Sequence, residues 1–507
     1  MNTVLRIVVV IILVGQSSCL LRSFQETPPE PVKPTQGYTS IGKLPFNEAW
    51  YGTYFQEDRI GYSHFRIEPS GDNYSISTDS LMRLKALKKT SEIGLKEKIM
   101  VHPDLTMISF ESGVRMNDKN LDMTGKIEGK RLVVQMTVGG ETVRREFPFE
   151  DKLYHSSAMS LIPALKGLKE GEVYSFSVFG SGNAFNPDER AIEKVEQNIM
   201  PVKNAPGPNG AVWSVKNNVG RSVIHSWLNK NGLTVLEKAQ DGALITILED
   251  ESTARQFLEK KTAEGKDLIL DVSLIPVSNP IKNSAKTRFL KVRMDGIDPS
   301  LIANDHRQQV TSKKEEPKQE GFYVTVNVED PGKPQIGGGT HSIPFLAHYL
   351  ASTIVIQANH EEIVAQSGKI VSPRDSDLDQ VNKLVRWTSE NIKNEMKDSF
   401  TALSVLRSKE GECQSHANLY AAFARSRKIP TRVVTGIVYT ESKEYLGFLY
   451  HAWAESYVNG WLAVDPTLKQ VPADATHIKI AGGDADDETS AVLKMLGKVK
   501  IEVLDYK

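Results

Sequence analysis

The sequence predicts an α+β protein in which N-terminal antiparallel β-rich modules precede a C-terminal α+β domain. Stretches between residues 46 and 270 alternate apolar and polar residues and break at turn signals, which is the pattern of half-buried strands. From Ser372 onward, apolar residues instead recur at helical spacing. A chain of 507 residues is long enough for two to four domains, each with its own core.

Residues 1–19 are expected to form a signal peptide. Arg6 leads into an apolar run from Ile7 to Val14. This run is too short to span a bilayer but fits the core of a secretory signal. Residues 20–45 are polar and rich in proline, and they are expected to form a tether between the membrane and the first domain.

The end of this signal resembles the cleavage site of bacterial lipoproteins, in which the cysteine becomes the lipidated N-terminus. Ser17 and Ser18 are small residues directly before Cys19, whereas Gln16 departs from the aliphatic residue usual at its position. Leu20, in place of aspartate, implies sorting to the outer membrane by the same resemblance. The alternative is simple cleavage and release into the periplasm.

Residues 46–270 are expected to form one or two β-rich modules. The segments "PSGDN", "EGK", "GGE" and "NKNG" are turn signals between apolar–polar alternations. Short helices are predicted over residues 154–170, ending near Gly167, and over residues 254–265. Antiparallel meanders of this kind build extended sheets or sandwiches, which often serve as binding or spacing modules.

Residues 271–367 are predicted to be a connecting β/α region, and residues 368–507 the last domain. "KTRFLKVRMDGI" and "GFYVTVNVE" are predicted strands of the connecting region. The last domain starts with a predicted helix in "DSDLDQVNKLVRWTSENIKNEM", behind an acidic start. Its apolar residues at helical intervals are Leu378, Val381, Leu384, Val385 and Ile392.

Several classes of function are disfavoured by composition and motif. The formal net charge of −1 argues against nucleic acid as a partner, because nucleic-acid binding usually requires a basic patch. "IGGGTHSIP" lacks the Lys-Ser/Thr of a phosphate-binding loop. The acidic segment "GGDADDETS" lacks calcium-loop spacing, and the histidines lack zinc spacing. Neither a metal nor another cofactor is therefore expected.

Three short segments of the last domain carry residues suited to thiol chemistry. Cys413 precedes an Ala-rich segment, so it is predicted to lie in the first turn of a helix, where free amides and the helix dipole lower a thiol pKa. His451 lies on the predicted strand "FLYHAWAESYV", and Asp465 ends the strand "GWLAVDPT". A thiol, an imidazole and a carboxylate are the nucleophile, base and orienting group of covalent catalysis.

The hairpin between the two strands decides whether these groups can meet. A two-residue loop would pair Asp465 with Ala454 and place His451 on the opposite face. A three-residue loop over 458–460, with Gly460 in a left-handed bulge position, pairs Asp465 with Trp453 and leaves His451 as a diagonal neighbour on the same face. The second register also collects apolar residues on the other face, so it is the predicted one.

These segments resemble the bacterial transglutaminase-like family, whose domains are papain-like thiol enzymes in fold. The resemblance rests on "GEC…HANLYAAFARSRKIPTRVVTGIVY", "YHAWAESYVNGWLAVDPT" and "ATHIKI", and it covers residues 370–480. It implies that Cys413 is the nucleophile, His451 the general base and Asp465 the third member, with the Cys413 amide holding part of the oxyanion. "WYGTYFQEDRIGYSHFRI" resembles a β-sheet module that precedes such domains in cell-envelope proteins.

Other residues near the predicted site have open roles. His416 could reach the site or be a packing residue or surface contact, and Trp453 is a candidate for lining it. Glu455 is as suited to pairing with Arg432 or another cation as to catalysis. Lys428 replaces the glycine usual in the family before Ile-Pro, and a non-glycine residue in a left-handed helix cap costs about 1 kcal/mol.

The expected function is acyl transfer at an amide bond, on a protein or peptide in the cell envelope. If water resolves the thioester, the protein is a peptidase or amidase, and if an amine does so, it is a cross-linking transglutaminase. The three residues serve both reactions, and hydrolysis is favoured because no feature indicates an amine site. The competing hypothesis is a binding or scaffold protein whose thiol domain is inactive.

Overall fold

The computed structural model describes residues 33–507, apart from residues 56, 87–88, 117–118, 139, 181–190, 203–207, 220–221, 240–241, 260–266, 268–272, 312–320, 329, 331–342, 396–400, 443–444, 481–494 and 496. The described residues form two compact units, one up to residue 267 and one from residue 273 onward. Within the described residues, no helix has both the length and the hydrophobicity needed to cross a bilayer.

The N-terminal unit is built mainly from antiparallel strands. Its strands are β1 (Thr35–Gln36), β2 (Glu48–Phe55), β3 (Asp58–Ser70), β4 (Asn73–Ala86), β5 (Lys89–Val101), β6 (Met107–Met116), β7 (Lys119–Glu128), β8 (Arg131–Val138), β9 (Glu141–Pro148), β10 (Leu153–His155), β11 (Gly167–Leu168), β12 (Val173–Phe179), β13 (Ile192–Pro201), β14 (Trp213–Val219), β15 (Ser222–Leu228), β16 (Thr234–Ala239) and β17 (Leu244–Glu249). Its α-helices are α1 (Ile162–Lys166) and α2 (Glu251–Glu259), and its 3₁₀ helices are Ile41–Lys43, Ser156–Leu161 and Pro208–Gly210.

Fifteen of these strands form one sheet in the order β10-β12-β13-β14-β15-β16-β17-β2-β3-β4-β5-β6-β7-β8-β9. The predicted β-rich region is thus confirmed as a meander in which β17 returns to pair with β2. The predicted turn in "PSGDN" joins β3 to β4, and Gly71 there has φ 61°, which glycine adopts without strain. The "NKNG" turn is held by Asn229, whose Oδ1 accepts from two backbone amides.

A row of apolar residues crosses the long hairpins of this sheet. Ile67 lies opposite Ile76, Ile76 opposite Ile99, and Ile99 opposite Phe110, and all four are buried. Gly125 ends the row, because a Cβ there would lie 2.0 Å from the Phe110 ring. The period-two alternation seen in the sequence therefore corresponds to one buried face of the sheet.

The segment from Thr35 onward is not a free tether, contrary to the prediction for residues 20–45. Strand β1 pairs with β11, and Ile41 is only 1% exposed. Ile41 also donates its backbone amide to the carbonyl of Pro103. The chain is packed here because Ile41 provides an apolar side chain that the sheet can bury, which the proline-rich composition did not indicate.

The C-terminal unit combines helices with three sheets of described strands. Its strands are β18 (Ile275–Pro276), β19 (Phe289–Asp295), β20 (Gln308–Thr311), β21 (Phe322–Asn327), β22 (Lys393–Asn394), β23 (Glu410–Gly411), β24 (Thr431–Glu441), β25 (Leu446–Tyr457), β26 (Trp461–Val464), β27 (Ile478–Lys479) and β28 (Lys500–Tyr506). Its helices are α3 (Ile343–His348), α4 (Glu361–Ile370), α5 (Asp377–Asn391), α6 (Ala402–Ser408) and α7 (Cys413–Ser426), with 3₁₀ helices Ser284–Lys286 and Pro299–Leu301.

The sheets of this unit join distant parts of the sequence. One sheet has the order β18-β25-β24-β27, with β26 paired to β25, and another has the order β20-β21-β19-β28. Strands β18, β19, β20 and β21 come from the region predicted to connect the domains. They nevertheless lie in the same compact unit as the last domain, because β18 pairs with β25 and β19 with β28.

Helix α7 is the centre of the apolar core that positions the site. Leu419, Tyr420 and Phe423 are fully buried, and the same cluster contains Val381 and Leu384 of α5. The amphipathic helix predicted after Ser372 is thus confirmed as α5. Ser376 caps it by accepting a hydrogen bond from the Asp379 amide. Residues 414–425 of α7 are all buried. This packing holds the first residue of the helix, Cys413, beside β25.

Candidate functional site

Cys413 is the first residue of α7, as predicted. The chain leaves α6 through Lys409 in a left-handed conformation and reaches α7 through β23. Gly411 allows a tight approach there, since a Cβ would lie 2.4 Å from Cβ of Ser415. Glu412 caps the helix by accepting a hydrogen bond from the Gln414 amide. Local sequence therefore brings the sulfur to the helix start.

The surroundings of the sulfur raise its pKa, which corrects the expectation of a lowered value. Burial and the carboxylate of Glu412 raise the Cys413 pKa well above its ordinary value. The thiol donates to Oε2 of Glu412 over 3.1 Å, and the Ala452 amide donates to the sulfur. Desolvation and the neighbouring anion outweigh the lowering of the pKa by the Ala452 hydrogen bond, so the thiol rests in its neutral form. The side chain keeps partial exposure to solvent.

The β25–β26 hairpin has the predicted register. Ala454 lies opposite Val464 and Tyr457 opposite Trp461, so the next position places Asp465 beside Trp453. The loop has three residues, as predicted, but the left-handed conformation belongs to Asn459 with φ 57°, and Gly460 has φ 140°. Asparagine tolerates this conformation because its short polar side chain can bond locally.

This register brings the predicted imidazole and carboxylate into contact. Nε2 of His451 lies 2.6 Å from Oδ2 of Asp465. The sulfur of Cys413 lies against the amide of Ala452, the residue that follows His451. Because Nε2 is engaged with Asp465, Nδ1 of His451 is the ring nitrogen left for proton transfer.

Asp465 is a fully buried, ionised carboxylate. Its other oxygen, Oδ1, accepts from the backbone amides of Thr467 at 2.7 Å and Leu468 at 2.9 Å. Burial raises its pKa, but the charges and hydrogen bonds of His451 and His477 outweigh burial and bring the pKa well below its ordinary value. The carboxylate therefore persists as an acceptor over the whole neutral range.

His477 belongs to this site although it was not among the predicted site residues. Its Nε2 lies 3.0 Å from Oδ2 of Asp465, and its side chain is fully buried. The signal that could have indicated it is the segment "ATHIKI", where a histidine directly precedes the buried strand β27. That strand pairs with β24, which itself pairs with β25.

The two candidates for lining the site take different places. Trp453 is buried, stacks on His451 with ring centres 6.2 Å apart, and meets His477 edge-on at 5.1 Å. His416 instead faces backbone carbonyls on both sides, Glu412 at 3.0 Å from Nδ1 and Ile392 at 3.1 Å from Nε2. These contacts place His416 in a packing role.

Glu455 is engaged in ion pairs within the same sheet. Its carboxylate contacts Arg432 at 2.6 Å and Lys479 at 2.8 Å, and Arg432 also lies over the ring of Trp461. Burial raises the Glu455 pKa, but Lys479 and Arg432 outweigh it and lower the pKa. Glu455 is thus part of a structural network and not of the thiol site.

Among the described residues, three side chains come close enough to be considered for a metal ion. Ligand atoms of His451, Asp465 and His477 all lie within 4.8 Å of one another. The separation of 2.6 Å between Nε2 of His451 and Oδ2 of Asp465 is that of a charge-assisted hydrogen bond. Two ligands of a tetrahedral zinc ion lie about 3.3 Å apart. The cluster therefore fits shared protons better than an ion.

Some predicted features lie outside the described residues. These are Cys19 with the rest of the signal, the glycines of "IGGGTHSIP", and the acidic segment "GGDADDETS".

Residues 365–466 match the model of the transglutaminase-like superfamily, so the chain contains a transglutaminase-like domain. No curated protein matches the chain. Among solved structures, a candidate cysteine protease from Cytophaga hutchinsonii is similar, with 13% identity, coverage of 44% of this chain and 86% of the other, and a TM-score of 0.29.

Two further solved structures are similar. The periplasmic domain of TgpA from Pseudomonas aeruginosa, bound to ethylmercury, has 17% identity, coverage of 38% of this chain and 92% of the other, and a TM-score of 0.23. A β-barrel-like protein of a domain of unknown function from Brucella abortus has 12% identity, coverage of 40% and 95%, and a TM-score of 0.30.

Proposed function

We propose that the transglutaminase-like domain catalyses acyl transfer at an amide bond, with Cys413 as nucleophile, His451 as general base and Asp465 as the orienting carboxylate. The observation that carries the proposal is the 2.6 Å contact between His451 and Asp465, made while the Cys413 sulfur lies against the amide of Ala452. An imidazole bonded to a carboxylate, on the strand whose next residue contacts the thiol, supports the nucleophile, base and carboxylate order that covalent catalysis requires.

The proposed reaction begins with the neutral thiol. Nδ1 of His451 takes the thiol proton while the sulfur attacks the amide carbonyl carbon. The carbonyl oxygen becomes an oxyanion, which the free Cys413 amide at the start of α7 is suited to hold. Collapse of the intermediate breaks the C–N bond, and His451 returns the proton to the leaving amine. A thioester on Cys413 remains.

Water or an amine then resolves the thioester. In either case His451 removes a proton from the attacking group, and the sulfur leaves as the thiol. Water releases a carboxylic acid, which makes the protein a peptidase or amidase, whereas an amine forms a new amide. Hydrolysis is favoured because no described feature indicates a site for a second amine substrate.

The substrate is proposed to be a protein or peptide of the cell envelope. The signal-like start, with Cys19 as lipidation site, supports a periplasmic protein anchored in the outer membrane through an N-terminal lipid. The formal net charge of −1 supports a partner other than nucleic acid.

The test is a search for the acyl-enzyme on Cys413. The full-length protein is incubated with envelope peptide and protein fractions, quenched in acid, and examined by mass spectrometry. We expect an acyl adduct on Cys413 in the wild-type protein and none in His451→Ala. Alkylation of Cys413 by iodoacetamide at pH 7.5 should also slow about tenfold in His451→Ala, because thiolate formation loses its base.

A binding or scaffold function is the second candidate. The large β-rich unit and the raised pKa of Cys413 support it. Alkylation rates that are equal in the wild-type protein and His451→Ala, together with the absence of any acyl adduct, would favour the scaffold and exclude the enzyme.

A further inference from the structure

Both ring nitrogens of His477 face acceptors. Nε2 lies 3.0 Å from Oδ2 of Asp465. Nδ1 lies 3.2 Å from the carbonyl oxygen of Asp474 and 3.3 Å from its Oδ1. A neutral imidazole has one acceptor nitrogen, which would here face an acceptor without a proton between them. At His477 an acceptor on each side belongs to a carboxyl group, Asp474 on one side and Asp465 on the other. The imidazolium form, with a proton on both nitrogens, satisfies both carboxylates and is matched to their charge. His416 differs, because the acceptors on its two sides are backbone carbonyls.

The two carboxylates are themselves saturated with donors, so neither is a source of the missing proton. Oδ1 of Asp474 accepts from the Thr476 amide at 2.8 Å and its hydroxyl at 2.6 Å, and Oδ2 accepts from Gln470 at 2.7 Å. Asp465 accepts from two backbone amides on Oδ1. Carboxylates surrounded by donors in this way are ionised.

The charged groups around His477 come from several elements. Asp465 follows β26, Asp474 lies in the next loop, and His451 on β25 has its ring centre 5.8 Å away. The guanidinium of Arg307 donates to the carbonyl of Asp474 at 2.6 Å. Burial lowers the pKa of His477, but the bonds to Asp465 and Asp474 outweigh it and raise the pKa to about 9.

Other charges nearby are compensated by their own partners. Lys479, two residues beyond His477, is paired with Glu455 and Asp305. The thiol of Cys413 donates to the carboxylate of Glu412, and the charge of Asp465 also raises the Cys413 pKa. His477 is therefore the cation that shares Asp465 with His451.

We propose that His477 is a positioning residue for the proposed reaction, an inference that rests on the proposed function. Its imidazolium, fixed by Asp474, donates to the same oxygen of Asp465 as His451 and neutralises part of that charge. The charge of Asp465 is therefore shared between two donors, and Asp465 acts on His451 mainly by orienting its ring.

The protonation of His477 is directly measurable in the wild-type protein. We propose ¹⁵N–¹H correlation spectra of protein labelled at its 11 histidines, recorded at pH 8. Histidines with ordinary pKa values are neutral at this pH. One ring with both nitrogens protonated, absent in His477→Gln, supports the inference. The inference is overturned if every doubly protonated ring of the wild-type protein persists in His477→Gln, or if all rings of the wild-type protein are neutral.

The effect on the nucleophile is tested by alkylation of Cys413 across pH 5 to 10. His477→Gln keeps a donor toward Asp465 but removes the positive charge, so the full charge of Asp465 acts on the pair of His451 and Cys413 and favours transfer of the thiol proton. We expect the alkylation midpoint to fall by about one pH unit and the rate at pH 6 to rise about tenfold. His416→Gln is the matched control, a buried histidine in the same helix turn as the nucleophile, and its midpoint should not move.

The outcomes separate this inference from the proposed function. If His477→Gln lowered the alkylation rate of Cys413 equally at every pH and left the midpoint unchanged, His477 would have a merely structural role and the inference would be overturned. The slower alkylation of His451→Ala would still be observed. Equal alkylation of wild-type protein and His451→Ala would overturn the proposed function, and the inference with it, even if the imidazolium signal is present.

Discussion

At the scale of single residues, Asp465 organises the site by accepting four hydrogen bonds. His451 and His477 donate to one oxygen, and the amides of Thr467 and Leu468 donate to the other. The position is fully buried, where an unpaired charge would be costly. The surplus of donors keeps it ionised, and two imidazole rings share it.

The protonated state of His477 predicts a pH dependence of stability. Its pKa is raised in the folded protein from 6.5 to about 9. A raised pKa means that the contribution is fully present below pH 6.5 and is lost as the pH rises through 9. We expect a loss of about 3 kcal/mol in the free energy of unfolding of the C-terminal unit between pH 6.5 and pH 9.5.

Denaturant titration of the wild-type protein and His477→Gln at both pH values measures this effect. The variant lacks the titrating group, so its unfolding free energy should change less over the same interval. Parallel curves for the two proteins would contradict the assignment.

At the scale of elements, two backbone positions matter: the exit from α7 at Lys428, and Gly436, where β24 lies close to its neighbours. Lys428 lies just after the end of α7 and has φ 67°. This is the left-handed conformation that was predicted because the family usually has glycine at this position. Gly436 of β24 lies opposite both His451 of β25 and Lys479 of β27. A Cβ on Gly436 would lie 2.1 Å from the carbonyl oxygen of Ile478 and 2.5 Å from the Trp453 ring.

Replacing Lys428 by glycine should stabilise the protein. Glycine adopts the left-handed conformation without the strain that a Cβ causes, and the gain is about 1 kcal/mol in the free energy of unfolding. The exposed Lys428 side chain has little packing to lose. Lys428→Ala is the control, because it shortens the side chain but keeps the Cβ. Equal stabilities of the two variants in urea titration would refute the strain argument.

Gly436→Ala should destabilise the C-terminal unit and disturb the site. The added methyl group must displace β27 or Trp453, at a cost of about 1–3 kcal/mol. We expect a lower unfolding midpoint and slower alkylation of Cys413.

Gly368→Ala in α4 is the matched control. The nearest atom to its Cβ would be Nη1 of Arg427 at 3.6 Å, and alanine in a helix is favoured over glycine by about 0.5–1 kcal/mol. Destabilisation of both variants alike would show that the close approach at Gly436 is not the cause.

At the scale of the whole molecule, the chain combines a β-rich unit with a unit that contains the transglutaminase-like domain. The first unit contains a sheet of 15 described strands. The lipid anchor proposed at Cys19 would keep both units at the envelope, where peptide and protein substrates are available.

Cys19→Ser tests this placement. We expect the wild-type protein in the outer-membrane fraction and the variant in the soluble periplasmic fraction or retained as an uncleaved precursor, because serine cannot carry the thioether-linked lipid. Immunoblots of the separated fractions provide the measurement, and Cys413→Ser serves as the control that keeps Cys19. Equal membrane association of both variants would exclude the anchor.

The sequence by itself determined the meander of strands, the start of α7 at Cys413 and the register that joins His451 to Asp465. These features follow from period-two patterns, helix-start chemistry and loop length, all of which act between neighbours along the chain. Only the tertiary structure decided the packing of Ile41, the raised pKa of Cys413 and the place of His477. The burial of a side chain and the pKa of a titratable group depend on residues that different elements bring together. These residues are far apart in the sequence, so a local pattern does not predict their combined effect.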